Sequence, residues 1–157
     1  MGGTFRTFLL QHSRTFIENA CTLDGVLRIA MIGSLLTTKE KPKDIDILVT
    51  ISEGVDINAL AKLGRQLKGK CQTENAGADI FLCSEAGEYL GRTCGYKECH
   101  IRASCLGTQC HLGLRVCNDF EEVRLESDLI KNPVLVLWPS VEKWGEIPED
   151  VEQVLLQ

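Results

Sequence analysis

The chain has 157 residues and a formal net charge of −5, from 17 basic and 22 acidic side chains. The length fits one domain, and the acidic balance excludes a general binder of phosphate backbones, although a few lysines can still set the field inside a small nucleotide site. A composition of 44% hydrophobic and 25% charged residues excludes a wholly disordered chain. No apolar run approaches the ~20 residues that cross a bilayer, and no secretory signal is evident. We therefore expect a cytoplasmic protein with no membrane contact.

The N-terminal half alternates between helical and strand-like hydrophobic spacing. Thr4 is a candidate N-cap of an amphipathic helix over residues 4–20, and Asp56 is a candidate N-cap of a second helix. Short apolar runs predict three strands, at Val26–Ile32, Asp44–Ile51 and Ala78–Cys83. Residues 33–43, between the first two strands, are predicted to form a loop that contains three lysines.

The C-terminal half is less regular. Residues 94–118 are rich in Cys, Gly and His without a clear period, whereas Pro133–Trp138 predicts a strand and Pro148–Leu156 a helix. The sequence therefore predicts an α+β fold with a short mixed sheet flanked by helices. We expect a core over residues 1–90, a Cys/His-rich module over 91–120, and a final strand and helix over 121–157 that complete the single domain.

Two aspartates begin the second predicted strand. Asp44 and Asp46 flank one isoleucine, so both carboxylates point to the same face of the strand, with Cα atoms ~7 Å apart. Such carboxylates repel, and hard oxygen ligands at this spacing suit Mg²⁺ or Mn²⁺. Asp79 begins the third strand and joins them if the two strands are neighbours. Three carboxylates can hold two metal ions that clamp an in-line displacement at phosphorus. The alternative is that these aspartates are solvated carboxylates at strand ends.

A phosphate-binding turn is the second candidate feature. Gly33 and Ser34 directly follow the first strand, where glycine allows a close approach of the backbone and the serine hydroxyl can bind phosphate oxygens. Lys39 and Lys43, in the loop that follows, can neutralise further phosphate charge.

The order strand, Gly33-Ser34, short loop, Asp44-Ile45-Asp46 and strand resembles the nucleotidyltransferase superfamily typified by DNA polymerase beta. The resemblance covers roughly Leu27–Ser84. It implies that Gly33 and Ser34 hold a nucleoside triphosphate, that Asp44 and Asp46 bind the catalytic metal ions, and that Asp79 helps to activate the attacking hydroxyl. The implied reaction is Mg²⁺-dependent (or Mn²⁺-dependent) transfer of a nucleoside monophosphate from an NTP to a hydroxyl acceptor, which can be a protein, a small molecule or an RNA, with release of pyrophosphate.

The chain departs from the family pattern after the glycine–serine turn. Small members of the family often carry an arginine there, whereas this chain has Leu35 and Leu36, and its first positive charge is Lys39. The alternative function is therefore an inactive interaction protein on the same fold, either antitoxin-like or a nucleic-acid adaptor. A thiol-based redox protein is a third hypothesis.

Four of the eight cysteines lie close together in two copies of the pattern Cys, four residues, Cys-His. These are Cys94, Cys99, Cys105 and Cys110. Four thiolates match the tetrahedral set that structural Zn²⁺ prefers, and a metal would stabilise a segment with little apolar content. An iron–sulfur cluster would accept the same ligands, and free thiols are the alternative. Arg92, Lys97, Arg102 and Arg115 beside these cysteines form either a basic patch for a polyanionic acceptor or an ordinary solvated surface.

Overall fold

The computed structural model describes residues 4–93, 116–117 and 134–157. Within these residues, three α-helices flank a single sheet: α1 (Phe5–Ala20), α2 (Ile57–Gln72) and α3 (Glu149–Leu155). The strands are β1 (Val26–Ile32), β2 (Asp44–Ile51), β3 (Gly77–Ser84), β4 (Tyr89–Thr93), β5 (Val116–Cys117), β6 (Val134–Trp138) and β7 (Glu142–Trp144). A short 3₁₀ helix, Ser34–Leu36, directly follows Gly33.

The sheet is mixed. Its strand order is β5-β4-β3-β2-β1-β6-β7, and β2 and β3 run parallel while the other neighbouring pairs are antiparallel. The parallel pair follows from the connection, because α2 returns the chain to the edge at which β2 began. Strand β6, from the C-terminal part of the chain, pairs with β1, so the two ends of the chain contribute to the same sheet.

One face of the sheet packs against the helices. Along β2, Ile45, Ile47 and Val49 are fully buried in the main core, and the residues between them point to the opposite face. The core is completed by apolar side chains of the helices, including Leu9, Leu10 and Phe16 of α1, Leu60 and Leu67 of α2, and Val151 of α3. Burial of this face therefore fixes the register of β2 and turns Asp44 and Asp46 away from the helices.

The opposite face carries a second, smaller apolar cluster. Its buried members come from four strands: Ala30, Ile32, Phe81, Tyr89, Val134 and Val136. Leu48 of β2 packs against them. Leu48 lies two residues beyond Asp46 on the same side of β2. The carboxylates therefore sit at one end of the sheet face that carries this apolar cluster.

The α+β fold, with a mixed open sheet flanked by helices, is confirmed. The structure also confirms Thr4 and Asp56 as helix N-caps, since their side chains accept hydrogen bonds from the backbone N–H of Thr7 and Ala59. Three strands and the 3₁₀ helix were not predicted: β4, β5 and β7 have two to five residues each, too few for alternation to be evident. The predicted metal ligands Cys94, Cys99, Cys105 and Cys110 lie outside the described residues. None of the helices that the structure describes is both long and apolar enough to cross a membrane.

Candidate functional site

Three carboxylates lie on the open face of the sheet, at the end where β2 and β3 begin. The parallel register places Asp46 directly beside Asp79, and Asp44 lies beside Gly77. Neighbouring strands are about 4.8 Å apart, so the backbone brings the Asp46 and Asp79 side chains next to each other. Asp44 is exposed, whereas Asp46 and Asp79 are half-buried. The sheet therefore places all three aspartates on one face, as the sequence predicts.

The glycine–serine turn lies against the same carboxylates. Gly33 has a φ of +84°, and a Cβ atom built on it would run into the carboxylate of Asp46. Both the backbone conformation and the space therefore require glycine. Ser34 begins the 3₁₀ helix, and its carbonyl accepts hydrogen bonds from the backbone N–H and the hydroxyl of Thr37, at 3.0 and 2.6 Å. The turn and the Asp46 side chain are thus in direct contact, as the candidate site requires.

Burial and mutual repulsion perturb the two aspartates of β2. Desolvation, followed by the charges of Asp79 and Asp44, raises the pKa of Asp46 to about 7, against a partial opposing effect of Arg92. Desolvation and the charge of Asp79 also raise the pKa of Asp44. Part of each rise in pKa comes from repulsion between neighbouring carboxylates, and a cation bound beside them would relieve that repulsion.

One arginine partly compensates that charge. Arg92, on β4, donates from Nη1 to Oδ1 of Asp79 at 3.3 Å, and both side chains are about one-third exposed. The antiparallel register places Arg92 opposite Phe81, which lies two residues beyond Asp79 on the same face of β3. Asp79 is therefore held by an ion pair that the sequence analysis did not predict, and Arg92 belongs to the carboxylate site. The other three residues considered for a basic patch, Lys97, Arg102 and Arg115, lie outside the described residues.

Three lysines act electrostatically on the exposed carboxylate Asp44. The charges of Lys43, Lys68 and Lys39 all act to lower its pKa, although they do not outweigh desolvation and Asp79. Lys39 and Lys43 are the predicted lysines of the loop, and both are exposed. Lys68 comes from the last turns of α2. This end of the sheet therefore presents anionic ligands for a cation and cationic groups for an anion.

The arrangement suits a cation that is shared with a substrate. Across residues 4–93, 116–117 and 134–157, no three His, Cys, Asp or Glu side chains are grouped closely enough to hold one metal ion by themselves. Asp44 and Asp46, however, offer two carboxylates on one face. Mg²⁺ is commonly held by one or two carboxylates together with substrate phosphates rather than by a complete protein cage.

A cavity of about 440 Å³ opens farther along the same face. Leu48 and Thr50 line it from β2, Cys83 from β3 and Val136 from β6, with Trp144 of β7 at its side. Its walls are mostly apolar, and its volume is within the range of sites that take small organic ligands. A ligand that reached from the carboxylates along β2 would enter this space.

Sequence reasoning missed Lys68 and the pairing of Arg92 with Asp79. The position of Arg92 could have been inferred from a β-hairpin in the sequence. Gly87, with a φ of +87°, lies in the short turn that joins β3 to β4. The backbone N–H of Ser84 donates to the carbonyl of Glu88 across this turn. Recognition of that turn would have set the register of β4. The position of Lys68 depends on the packing of α2 beneath the sheet, and this cannot be read from its local sequence.

Two described cysteines are poor candidates for thiol chemistry. Burial raises the pKa of Cys83, and burial together with the charge of Asp44 raises that of Cys71 to about 11. A thiol that is protonated at neutral pH is a weak nucleophile. Neither residue therefore supports the hypothesis of a redox protein.

Replacement of Gly33 by alanine is predicted to lower the free energy of unfolding by about 1–3 kcal/mol, because the new Cβ adopts a strained φ and displaces the Asp46 carboxylate. Gly54 is the matched control, since a Cβ there meets no atom within 4 Å. Gly54→Ala is expected to change stability by no more than about 0.5 kcal/mol. Urea denaturation measures both variants, and equal stabilities would contradict the close packing of Gly33 on Asp46.

The raised pKa of Asp46 predicts a pH-dependent stability in the absence of divalent cations. The folded protein binds a proton at Asp46 more tightly than the unfolded chain does, so this residue's contribution to stability falls as pH rises from about 4 to about 7. Asp46→Asn removes that dependence. The variant is expected to gain stability relative to the wild type as pH rises through this window, with no further gain above it.

Thermal unfolding in EDTA across pH 4–8 measures this gain, with Asp24→Asn as a control at an exposed aspartate. A gain that shrank with rising pH would mean that the pKa of Asp46 is lowered rather than raised, and would contradict this description of the site.

Comparison with known families gives one match. A family model described as a family of unknown function, DUF6932, matches residues 2–101, which is more than half of the chain. The match includes Gly33, the three aspartates and the first Cys-x₄-Cys-His copy, but it ends before the second copy. No curated protein and no solved structure matched. The chain therefore belongs to the DUF6932 family of unknown function.

Proposed function

We propose that this protein is a nucleotidyltransferase, which transfers a nucleoside monophosphate from an NTP to a hydroxyl acceptor and releases pyrophosphate in a reaction that needs Mg²⁺ or Mn²⁺. The observation that carries the proposal is the parallel register of β2 and β3, which sets Asp46 beside Asp79 with Asp44 on the same face and the Gly33 turn against Asp46. This is the spatial counterpart of the motif order that resembles the DNA polymerase beta superfamily.

The residues divide into three roles. Asp44 and Asp46 would hold the divalent cation, which when bound neutralises the charge of the phosphates. Gly33 and Ser34 would lie along the triphosphate, with Lys39, Lys43 and Lys68 countering its negative charge from the Asp44 side. Most of the reduction in the barrier would come from this positioning and charge compensation, as is usual for phosphoryl-group chemistry.

Asp79 would act on the acceptor. The acceptor oxygen forms a bond to the α-phosphorus, the bond from that phosphorus to the oxygen bridging to the β-phosphate breaks, and pyrophosphate leaves. Asp79 would orient the hydroxyl and receive its proton. The ion pair with Arg92 supports the orienting part of this role, because a charge-assisted hydrogen bond fixes the direction of the Asp79 carboxylate. The cavity along β2 offers an apolar surface for the nucleoside or the acceptor.

The four cysteines of the repeated pattern are proposed as ligands of a structural Zn²⁺. They supply the four thiolates that such a site needs, although the support is confined to their spacing. The residues to which the transfer reaction is assigned lie outside this module.

The proposed activity is tested with α-labelled NTPs, supplied one at a time with Mg²⁺ or Mn²⁺ and a cell extract as the source of acceptor. The wild type is expected to transfer label to a product. The rate of transfer by Asp46→Asn is expected to be lower by a factor of about 100 or more. Asp24→Asn, at an exposed aspartate outside the site, is expected to match the wild type.

Two results would contradict the proposal. Full activity of folded Asp46→Asn would show that the carboxylates are not the reacting centre. No transfer by the folded wild type with any NTP would favour the alternative, an inactive interaction protein on the same fold, and would direct attention to a macromolecular partner.

A further inference from the structure

A buried arginine joins three distant parts of the chain. Arg6, in the first turn of α1, is only 9% exposed. Its Nε and Nη2 donate to the two carboxylate oxygens of Asp150 in α3, at 2.7 and 3.2 Å. Its Nη1 donates to the carbonyl of Lys39 at 2.7 Å, and Nη2 also donates to the carbonyl of Leu35 at 2.8 Å. We call Arg6 and Asp150, together with these two carbonyls, the helix clamp.

The chemistry of the clamp needs arginine. A planar guanidinium presents several N–H donors in a fixed fork, so it can bind a carboxylate through two atoms and still reach two carbonyls. A buried charge is tolerated only when it is paired and hydrogen-bonded, and Arg6 meets that condition through Asp150. A lysine has one nitrogen and could not span the same acceptors.

The two carbonyls belong to the segment that follows the Gly33 turn. Leu35 and Leu36 are buried, which anchors the beginning of the segment in the core, while Lys39 is exposed and acts on the charge of Asp44. The clamp holds the backbone at both ends, at Leu35 beside Ser34 and at Lys39. It therefore restrains the shape of the turn and the backbone position of Lys39, whose charge acts on Asp44.

We infer that Arg6 and Asp150 are positioning residues, which hold residues 33–39 in the shape that binds the triphosphate. The affinity of the site for nucleotide then depends on the docking of the C-terminal helix α3, more than 100 residues from the turn that it supports. The identity of the ligand in this inference rests on the proposed function. The restraint on the segment does not, because it follows from the contacts alone.

The experiment compares Arg6→Lys and Asp150→Asn with a matched control, Arg14→Lys. Arg14 also lies in α1, and its Nη1 donates to the carbonyl of Val154 in α3 at 3.1 Å. Its hydrogen bonds go to Val154 and Glu18 rather than to residues 33–39. Asp150→Asn keeps an acceptor oxygen, so it is the milder change should Arg6→Lys fail to fold. Two quantities are measured: amide hydrogen exchange over residues 34–39, and KM for NTP together with kcat.

Both clamp variants are expected to exchange about tenfold faster over residues 34–39, which corresponds to the loss of one hydrogen bond to a charged group. Exchange in β2 should be unchanged. KM for NTP is expected to rise about fivefold or more with a smaller change in kcat, because the reacting carboxylates stay in place. Arg14→Lys should alter neither quantity.

Unchanged exchange over residues 34–39 in a folded clamp variant would overturn the inference. So would faster exchange without a rise in KM, since the clamp would then be a structural contact only. If the wild type transfers no nucleotide, the proposed function fails and the claim about affinity fails with it. The exchange comparison with Arg14→Lys would still decide whether the clamp restrains the turn, so the two failures are distinguishable.

Discussion

Parallel pairing of β2 with β3 sets Asp46 beside Asp79, and the rest of the site is arranged around the repulsion that results. The pairing is fixed from the helical side, where Ile45, Ile47 and Val49 are buried and a slip of one residue would expose them. The core therefore maintains an unfavourable arrangement of carboxylates on the other face, at a cost that is visible in the raised pKa of Asp46. Carboxylates perturbed in this way are typical of functional sites.

Compensation comes from separate parts of the chain. Arg92 reaches Asp79 from β4, and Lys68 acts on Asp44 from α2. The Gly33 turn contacts Asp46, and Arg6 donates to the carbonyl of Leu35 just after it. Arg6 is itself paired with Asp150 of the last helix. The proposed phosphate-binding turn thus depends on both ends of the chain, although its own motif is two residues long.

Much of this organisation could be predicted locally. Strands β1 and β2 have the predicted bounds, because the apolar run of β1 lies between Gly25 and Gly33 and the alternating run of β2 begins at Asp44. The carboxylates were recognised since alternation places Asp44 and Asp46 on one face. The role of Arg6 was not recognised, because a single arginine on an amphipathic helix is usually solvated. Its burial depends on the packing of α3 near residue 150. Long-range contacts of this kind leave no trace in local periodicity.

The most direct test of the central claim is anomalous diffraction from crystals grown with Mn²⁺ and a non-hydrolysable NTP analogue. We predict an anomalous peak within coordination distance of carboxylate oxygens of both Asp44 and Asp46, shared with the phosphates of the analogue, and no such peak in Asp46→Asn crystals. A well-ordered wild-type site without a peak, or an analogue bound away from Gly33 and the carboxylates, would contradict it.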